Sequence, residues 1–314
     1  MGRAAVKTNS SRKKAAASKP EVLKAEGLAN IPWLVHGFST RKGGLSKAYG
    51  GSSLNLGITE QDTREAVERN REIFLKEIGA VLDPGSASKS RARARGTKIW
   101  PTVPMHQIHS AVIHRIEAVP AKMLQGDGLI TNAPGILLSV RTADCVPVLI
   151  ADAKKCAVAA FHAGWRGTLA RIVEKGVGEM RRQFGSDPAD LVAAIGPCIH
   201  ACCYEVSDDF PDKFRAQFEY TDALFEEVFD SNSLHLKYPL LFLNQRAPGH
   251  GDAASKLHLN LAEANRRQLL DAGLAEKNIW TSDLCTSCRT DLLFSHRAEY
   301  GQTGRMMAAI GIRP

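Results

Sequence analysis

Residues 143–167 read ADCVPVLIADAKKCAVAAFHAGWRG, and this stretch predicts the centre of the fold. Two apolar runs, 146–151 and 156–161, are typical of buried strands, and the polar residues 152–155 between them are typical of a turn. The sequence therefore predicts a β-hairpin with a four-residue loop. If Ala151 faces Cys156, the same register places Cys145 opposite His162. Pro147 is the weak point, because proline cannot donate to a strand ladder and a bulge there would shift the register by one residue.

Cys145 and His162 are thus the first candidate metal ligands. Directly opposed residues of a hairpin have Cβ atoms about 5 Å apart, and tetrahedral zinc needs Cys and His donor atoms roughly 3.6 Å apart. His109, which follows a predicted strand at 102–108, is the best remaining histidine for a third ligand. Three protein ligands leave one zinc position open, which is typical of catalytic sites. The alternative is that Cys145 is a small buried residue and His162 a structural histidine.

Further motifs resemble one known family. The chain carries, in order, HGFSTRKGG (36–44), SLNLG (53–57), DGLIT (127–131), TADC (142–145), HAGWRG (162–167), GPCI (196–199), CYEV (203–206) and TGRM (303–306). Over about residues 30–312 these motifs resemble the laccase-domain family. Its members were first called multicopper polyphenol oxidases and peptidoglycan editing factors and are now described as zinc-dependent purine nucleoside phosphorylases.

The resemblance implies a zinc cofactor held by His109, Cys145 and His162, in agreement with the hairpin for the last two. It implies an enzyme that cleaves adenosine, inosine and S-methyl-5'-thioadenosine with phosphate and that also deaminates adenosine. A copper oxidase is disfavoured despite the older name, because laccase chemistry needs several copper centres and the ten histidines form no His-x-His pattern.

Deamination and phosphorolysis need different further groups. Attack on adenine by zinc-bound hydroxide needs a carboxylate proton shuttle, for which Asp144 and Glu205 are the candidates. The alternative for Asp144 is a structural role, in which its side chain hydrogen-bonds to the backbone behind the metal site. Phosphorolysis needs a phosphate site, and Arg41 in a Gly-rich loop is the preferred ligand because guanidinium binds phosphate through two hydrogen bonds. Arg166 and Arg297 are the further candidates.

Charge and composition define the remaining organisation. The formal charge of the 314-residue chain is +8, but residues 1–24 carry +6 and residues 83–98 carry +4, which leaves −2 for the rest. We predict a disordered basic tail over residues 1–29 and a single domain over 30–314 with a basic loop insertion at 83–98. With no long apolar stretch and seven scattered cysteines, a cytoplasmic protein with reduced thiols is expected, with no membrane partner. No specific nucleic-acid partner is expected, and the sequence does not decide between a monomer and a homo-oligomer.

The pattern of elements favours an α+β class, and the resemblance implies a layered sandwich of mixed β-sheets flanked by helices. Strands are predicted at 34–39, 102–108, 112–117, 136–141, 146–151, 156–161, 191–195, 279–283, 292–295 and 305–312. Helices are predicted at 64–79, 167–185, 207–218 and 260–273.

Four alternatives remain. A zinc hydrolase that edits peptidoglycan precursors is the second enzyme hypothesis, and a non-catalytic, zinc-stabilised protein that binds nucleic acid through its tail is the third. A cysteine protease would use Cys145 as nucleophile and His162 as base. Finally, Cys285 and Cys288 have the spacing of a metal or redox pair, which Cys198, Cys202 and Cys203 would have to complete.

Overall fold

A computed structural model describes residues 19–82, 98–229 and 255–314. Within these residues the strands are β1 (Val22–Leu23), β2 (Leu34–Ser39), β3 (Lys42–Ser46), β4 (Met105–His106), β5 (Ile113–Arg115), β6 (Leu124–Gln125), β7 (Gly128–Thr131), β8 (Leu137–Thr142), β9 (Val146–Asp152), β10 (Ala157–Ala163), β11 (Leu191–Ile195), β12 (Glu205–Val206), β13 (Phe225–Phe229), β14 (Ser255–Leu259), β15 (Ile279–Thr281) and β16 (Met306–Ile312). The α-helices are α1 (Glu26–Ala29), α2 (Arg64–Glu77), α3 (Trp165–Leu169), α4 (Ile172–Phe184), α5 (Phe210–Arg215) and α6 (Leu261–Asp271).

Two β-sheets, a mixed one and an antiparallel one, dominate the described fold. A six-stranded sheet has the order β15-β11-β9-β10-β7-β5, and a four-stranded sheet has the order β1-β2-β16-β8. Strand β11 pairs in parallel with β15 and β5 pairs in parallel with β7, whereas β9, β10 and β11 are mutually antiparallel where they pair. A smaller sheet has the order β12-β14-β13.

Strand alternation builds three apolar layers. On β9, Val148 and Ile150 pack with residues of α4 and α6, whereas Leu149 and Ala151 face residues of the four-stranded sheet. The far face of that second sheet packs against Phe74 and other residues of α2. The order is therefore helices, sheet, sheet, helix, and the predicted α+β layered sandwich is confirmed.

Close packing fixes the central hairpin against α4. A Cβ built on Gly176 would lie 2.2 Å from the ring of Phe161, so only glycine lets the helix approach the strand this closely. Phe161 is fully buried and immediately precedes His162. Helix packing thus sets the position of a predicted metal ligand.

The predicted hairpin is present, but its predicted register is wrong by two residues. Asp152 pairs with Ala157, His162 pairs with Pro147 rather than Cys145, and the loop is 153–156. Asp152 is the last residue of β9, and its Oδ1 accepts the amide N–H groups of Lys154 and Lys155, which closes the turn. A polar residue assigned to the turn therefore extends the strand.

Other predicted elements differ in extent. Strands 34–39 and 191–195 have the predicted bounds, but the predicted strand 102–108 is reduced to β4. The predicted strand at 292–295 is wrong, since these residues lie in turns and irregular backbone. The predicted helix 167–185 is two helices, α3 and α4, because Arg171 between them adopts a left-handed conformation with φ of 59°. Strands β1, β3, β6, β7, β12, β13 and β14 were not predicted.

The amino-terminal elements begin before residue 30. Strand β1 pairs with β2, and the amide of Ala25 donates to Nε2 of His36. Residues 19–29 therefore belong to the folded body rather than to the predicted tail. Residues 1–18, and 83–97 of the predicted basic loop, lie outside the described residues. In the part of the chain that the structure describes, no helix combines the length and apolar character needed to cross a membrane.

Candidate metal centre and its cavity

The structure brings His109, Cys145 and His162 together. One nitrogen of each histidine and the sulphur of Cys145 all lie within 4.8 Å of one another. Nε2 of His109 is 3.9 Å from Sγ of Cys145, and the two imidazole rings meet edge to face with centroids 4.9 Å apart. The 3.9 Å between these two donor atoms is close to the roughly 3.6 Å that donors around one tetrahedral ion require.

The hairpin still delivers two of these side chains despite its shifted register. Since side chains alternate with period two, a shift of two residues leaves Cys145 and His162 on the same face. They are diagonal neighbours at the mouth of the hairpin, and Cys145 lies beside Gly164. A Cβ on Gly164 would be 3.1 Å from Sγ of Cys145 and 2.9 Å from the ring of His109. A larger residue there would push both ligands apart.

Asp127 organises both histidines. Its Oδ1 accepts Nδ1–H of His162 at 2.8 Å and the amide of His109 at 3.0 Å, while Oδ2 accepts the amide and hydroxyl of Ser110 at 2.6 and 2.8 Å. Because an ionised carboxylate only accepts, Nδ1 of His162 carries a proton, and Nε2 is the nitrogen left to bind a metal. The sequence contained Asp127 in the DGLIT motif, but its role could not be read from spacing.

Electrostatics favour the ionised forms of Asp127 and Cys145. Burial alone would raise the pKa of Asp127, but hydrogen bonds from His162 and Ser110 outweigh it and lower the pKa to about 2. Burial alone would also raise the pKa of the Cys145 thiol, yet the charge on His162 and the hydrogen bond with His109 lower it. Thiolate is the form that binds metal. Burial alone would lower the pKa of His162, but the charge of the Cys145 thiolate and the hydrogen bond to Asp127 raise it to about 9, so in the metal-free protein the ring carries a charge that a bound metal would replace.

A cavity of about 760 Å³ opens beside the three donors. Its lining combines polar and apolar residues: Gly57, Ile58, His106, Gln107, His109, Met123, Arg141, Thr142, Ala143, Asp144, Cys145, His162, Ile199, Tyr204, His296, Arg297 and Arg305. Its volume is within the range of small-molecule sites. The three donors therefore face a space that a substrate can enter.

Asp144 lines this cavity, but its carboxylate is committed to neighbouring loops. Oδ1 accepts the hydroxyls of Thr286 and Ser295 at 2.6 and 2.7 Å, and Oδ2 accepts the amide of Arg297 at 2.7 Å. Its φ of 94° is uncommon for a residue other than glycine, and these bonds hold it there. The geometry favours a positioning role over proton transfer.

Glu205, the second carboxylate candidate, does not line the cavity. It lies in β12, and its Oε2 is 3.2 Å from Nζ of Lys256. Its backbone carbonyl accepts a hydrogen bond from Arg297. The structure therefore does not bring Glu205 to the three donors.

Of the three arginines predicted to bind phosphate, only Arg297 lines the cavity. Arg41 donates to the carbonyls of Thr290 and Tyr49 and to Oε1 of Glu299, and it stacks over Phe294. Its guanidinium thus joins the β2–β3 turn to distant segments, in a different cavity. Arg166 is exposed and stacks on Trp165.

Sequence reasoning missed three arginines, of which two line the cavity and the third, Arg71, lies near enough for its charge to act on Arg141. Arg141 and Arg305 line the cavity, and burial together with the charges of Arg71 and Arg305 lowers the pKa of Arg141 to about 10. Nη2 of Arg71 is buried and finds no hydrogen-bond partner among the described residues. Nor do the described residues place a carboxylate in salt-bridge contact with any of the three. Arg305 lies in the TGRM motif, so the motif could have identified it as a candidate site residue.

The fold and the site together define a layered sandwich with two histidines and one cysteine at an open cavity, a candidate metal centre. A family model described as multi-copper polyphenol oxidoreductase laccase matches residues 35–313, so the chain belongs to that family. It is 32% identical to purine nucleoside phosphorylase YlmD of Bacillus subtilis over 290 residues, 89% of each chain. It is 35% identical to adenosine deaminase RL5 from an unknown prokaryotic organism over 184 residues, 59% of this chain and 61% of the relative.

A solved structure has the same architecture. The hypothetical protein YfiH of Bacillus licheniformis superposes with a TM-score of 0.72 at 32% identity, over 90% of this chain and 94% of that one. The family resemblance read from the motifs is therefore confirmed.

Proposed function

We propose that the chain is a zinc-dependent purine nucleoside phosphorylase that acts on adenosine, inosine and S-methyl-5'-thioadenosine. The observation that carries the proposal is the cavity whose lining combines the three metal donors with Arg141 and Arg305, which bond backbone carbonyls but have no carboxylate partner among the described residues. The relative from Bacillus subtilis, named a purine nucleoside phosphorylase, supports the same activity. The cysteine and histidine donor set suits zinc.

The residues divide the work of phosphorolysis among them. In that reaction a phosphate oxygen attacks C1' of the ribose, the glycosidic C–N bond breaks, and its electron pair moves to the purine nitrogen. Arg141 and Arg305 hold the phosphate from the cavity wall, and Arg71 adds positive charge behind them. Apolar residues such as Ile58 and Tyr204 provide surface for the base. Bound between His109, Cys145 and His162, zinc would supply Lewis acidity and a lowered pKa for water.

Adenosine deamination is the second candidate function. The relative named adenosine deaminase RL5 favours it. Against it, Asp144 is the one carboxylate among the described cavity-lining residues, and its oxygens already accept three hydrogen bonds. Phosphorolysis needs no such carboxylate, so the geometry supports it better.

Neither relative named above has a name that refers to peptidoglycan. A cytoplasmic location would keep the free cysteines reduced.

The test compares adenosine turnover with and without phosphate in the zinc-loaded protein. Adenine and ribose 1-phosphate formed only with phosphate are expected, and inosine formed without phosphate would assign the deaminase instead. Arg305→Gln should raise the KM for phosphate about 10- to 150-fold, since a charged hydrogen bond is worth roughly 1.5–3 kcal/mol. Arg166→Gln, at an exposed arginine outside the cavity lining, is the matched control. An unchanged KM for phosphate in Arg305→Gln would contradict the phosphate assignment.

A further inference from the structure

Four cysteines outside the cavity form a second compact group of donors. The sulphur atoms of Cys202, Cys203, Cys285 and Cys288 all lie within 4.8 Å of one another. Sγ of Cys288 is 3.4 Å from that of Cys203 and 3.5 Å from that of Cys202, too far for a disulfide bond. Cys198, which the sequence offered as a further member, is fully buried and is not part of the group.

Sheet topology brings the four thiols together from distant parts of the chain. Strands β11 and β15 are parallel neighbours, so their carboxyl ends meet at one edge of the six-stranded sheet. The loop after β11 carries Cys202 and Cys203, and the loop after β15 carries Cys285 and Cys288. The amide of Thr286 donates to the carbonyl of Cys198, which locks the two loops side by side.

The spacing fits one tetrahedral ion. With Zn–S bonds near 2.3 Å, the thiolates around one zinc lie about 3.8 Å apart. The observed distances of 3.4 and 3.5 Å need only a small outward movement. The amide of His200 also donates to Sγ of Cys285 at 3.5 Å, a contact that stabilises a thiolate. A cluster of several iron atoms would hold four thiolates further apart than this.

We propose that Cys202, Cys203, Cys285 and Cys288 bind one zinc ion in a closed structural site, separate from the centre at His109, Cys145 and His162. Four protein ligands leave no open position, so this ion takes no part in the chemistry. It stabilises the wall of the cavity. Thr286, between Cys285 and Cys288, donates to Oδ1 of Asp144. Tyr204, next to Cys203, lines the cavity.

Metal content of the full chain, purified with zinc under reducing conditions, tests the proposal independently of any activity. Native mass spectrometry and elemental analysis are expected to find two zinc ions per chain. Cys288→Ser should retain one, and Cys145→Ala should retain the other. Cys156→Ser is the matched control, because Cys156 is an exposed free cysteine in the β9–β10 loop, and it should retain both.

A second measurement keeps the test decisive if Cys288→Ser fails to fold. Cobalt replaces zinc in Cys145→Ala, and the thiolate-to-cobalt charge-transfer absorption is recorded, which grows with the number of coordinating thiolates. Strong absorption is expected, with the four clustered thiols protected from a thiol reagent in addition to the buried Cys198. The proposal is overturned if Cys145→Ala binds no metal and its thiols react freely. A mass lower by two hydrogens, which marks a disulfide, or bound iron with sulfide would overturn it as well.

Discussion

Asp127→Asn is predicted to weaken the metal centre without removing a ligand. The carboxylate accepts hydrogen bonds from His162, His109 and Ser110, and its pKa falls from the usual 3.8 to about 2. At 1.36 kcal/mol per pKa unit, this corresponds to roughly 2.5 kcal/mol of stabilisation of the ionised form. An asparagine keeps one acceptor oxygen but turns an NH₂ group toward the amide of Ser110, which leaves that donor unpaired at a further cost of about 1–3 kcal/mol.

Two assays separate the expected effects. Zinc affinity, measured by competition with a chelator, should fall about 10- to 100-fold, as is usual when the partner of a ligating histidine is lost. The free energy of unfolding of the metal-free protein should fall by about 3.5–5.5 kcal/mol. Asp152→Asn is the control, because Asp152 is equally buried and closes the turn of the β9–β10 hairpin, at the end away from Cys145 and His162. If Asp127→Asn binds zinc within about twofold of the wild type, Asp127 does not position the ligands.

Three further outcomes are expected. Burial and the charge of Lys24 lower the pKa of His36 to about 4, so the folded state keeps this ring neutral. The free energy of unfolding is unaffected by this group above pH 6.5 and falls by about 3 kcal/mol as the pH is lowered toward 4. A pH titration of the free energy of unfolding should lose this slope in His36→Gln. Arg41→Ala should lower the melting temperature, because the hydrogen bonds of Arg41 to Thr290 and Glu299 are lost. The KM for phosphate should stay within about twofold of the wild-type value. A raised KM would restore the sequence-based assignment of Arg41 to phosphate binding. Removal of residues 1–18, which carry five basic and no acidic residues, should reduce the retention of the protein on heparin. Nucleoside turnover should stay unchanged, because every described cavity-lining residue lies at Gly57 or later. Loss of turnover in the truncated, folded protein would refute this.

The hairpin illustrates how much of the site sequence alone could predict. The apolar runs located both strands, but Asp152 was assigned to the turn because a polar residue that ends a strand looks the same as one that begins a loop. The resulting error was two residues, an even number, and the face on which Cys145 and His162 lie was therefore unaffected. An error of one residue would have pointed one ligand into the opposite layer.

Long-range contacts were beyond the reach of the sequence. A Gly-rich loop around Arg41 suggested phosphate binding, yet the partners of Arg41 include Thr290, about 250 residues away. Likewise, the Cys285–Cys288 spacing suggested half of a metal site. Its second half depends on the parallel pairing of β11 with β15, which no local pattern indicates.

Both groups of metal donors lie at one edge of the six-stranded sheet, and antiparallel pairing explains why. Strand β9 runs opposite to β10 and β11, so the residue before β9, Cys145, meets the carboxyl ends of β10, β11 and β15. Asp144 connects the two groups, since its carbonyl accepts the amide of Ile199 and its carboxylate accepts the hydroxyl of Thr286. It holds a strained φ of 94° directly beside a predicted catalytic ligand. A movement of the cysteine loops would therefore shift Asp144, whose backbone is held in this conformation by its hydrogen bonds, and with it the adjacent Cys145. A loss of activity in Cys288→Ser would then reflect displaced metal ligands rather than the loss of a group that takes part in the reaction.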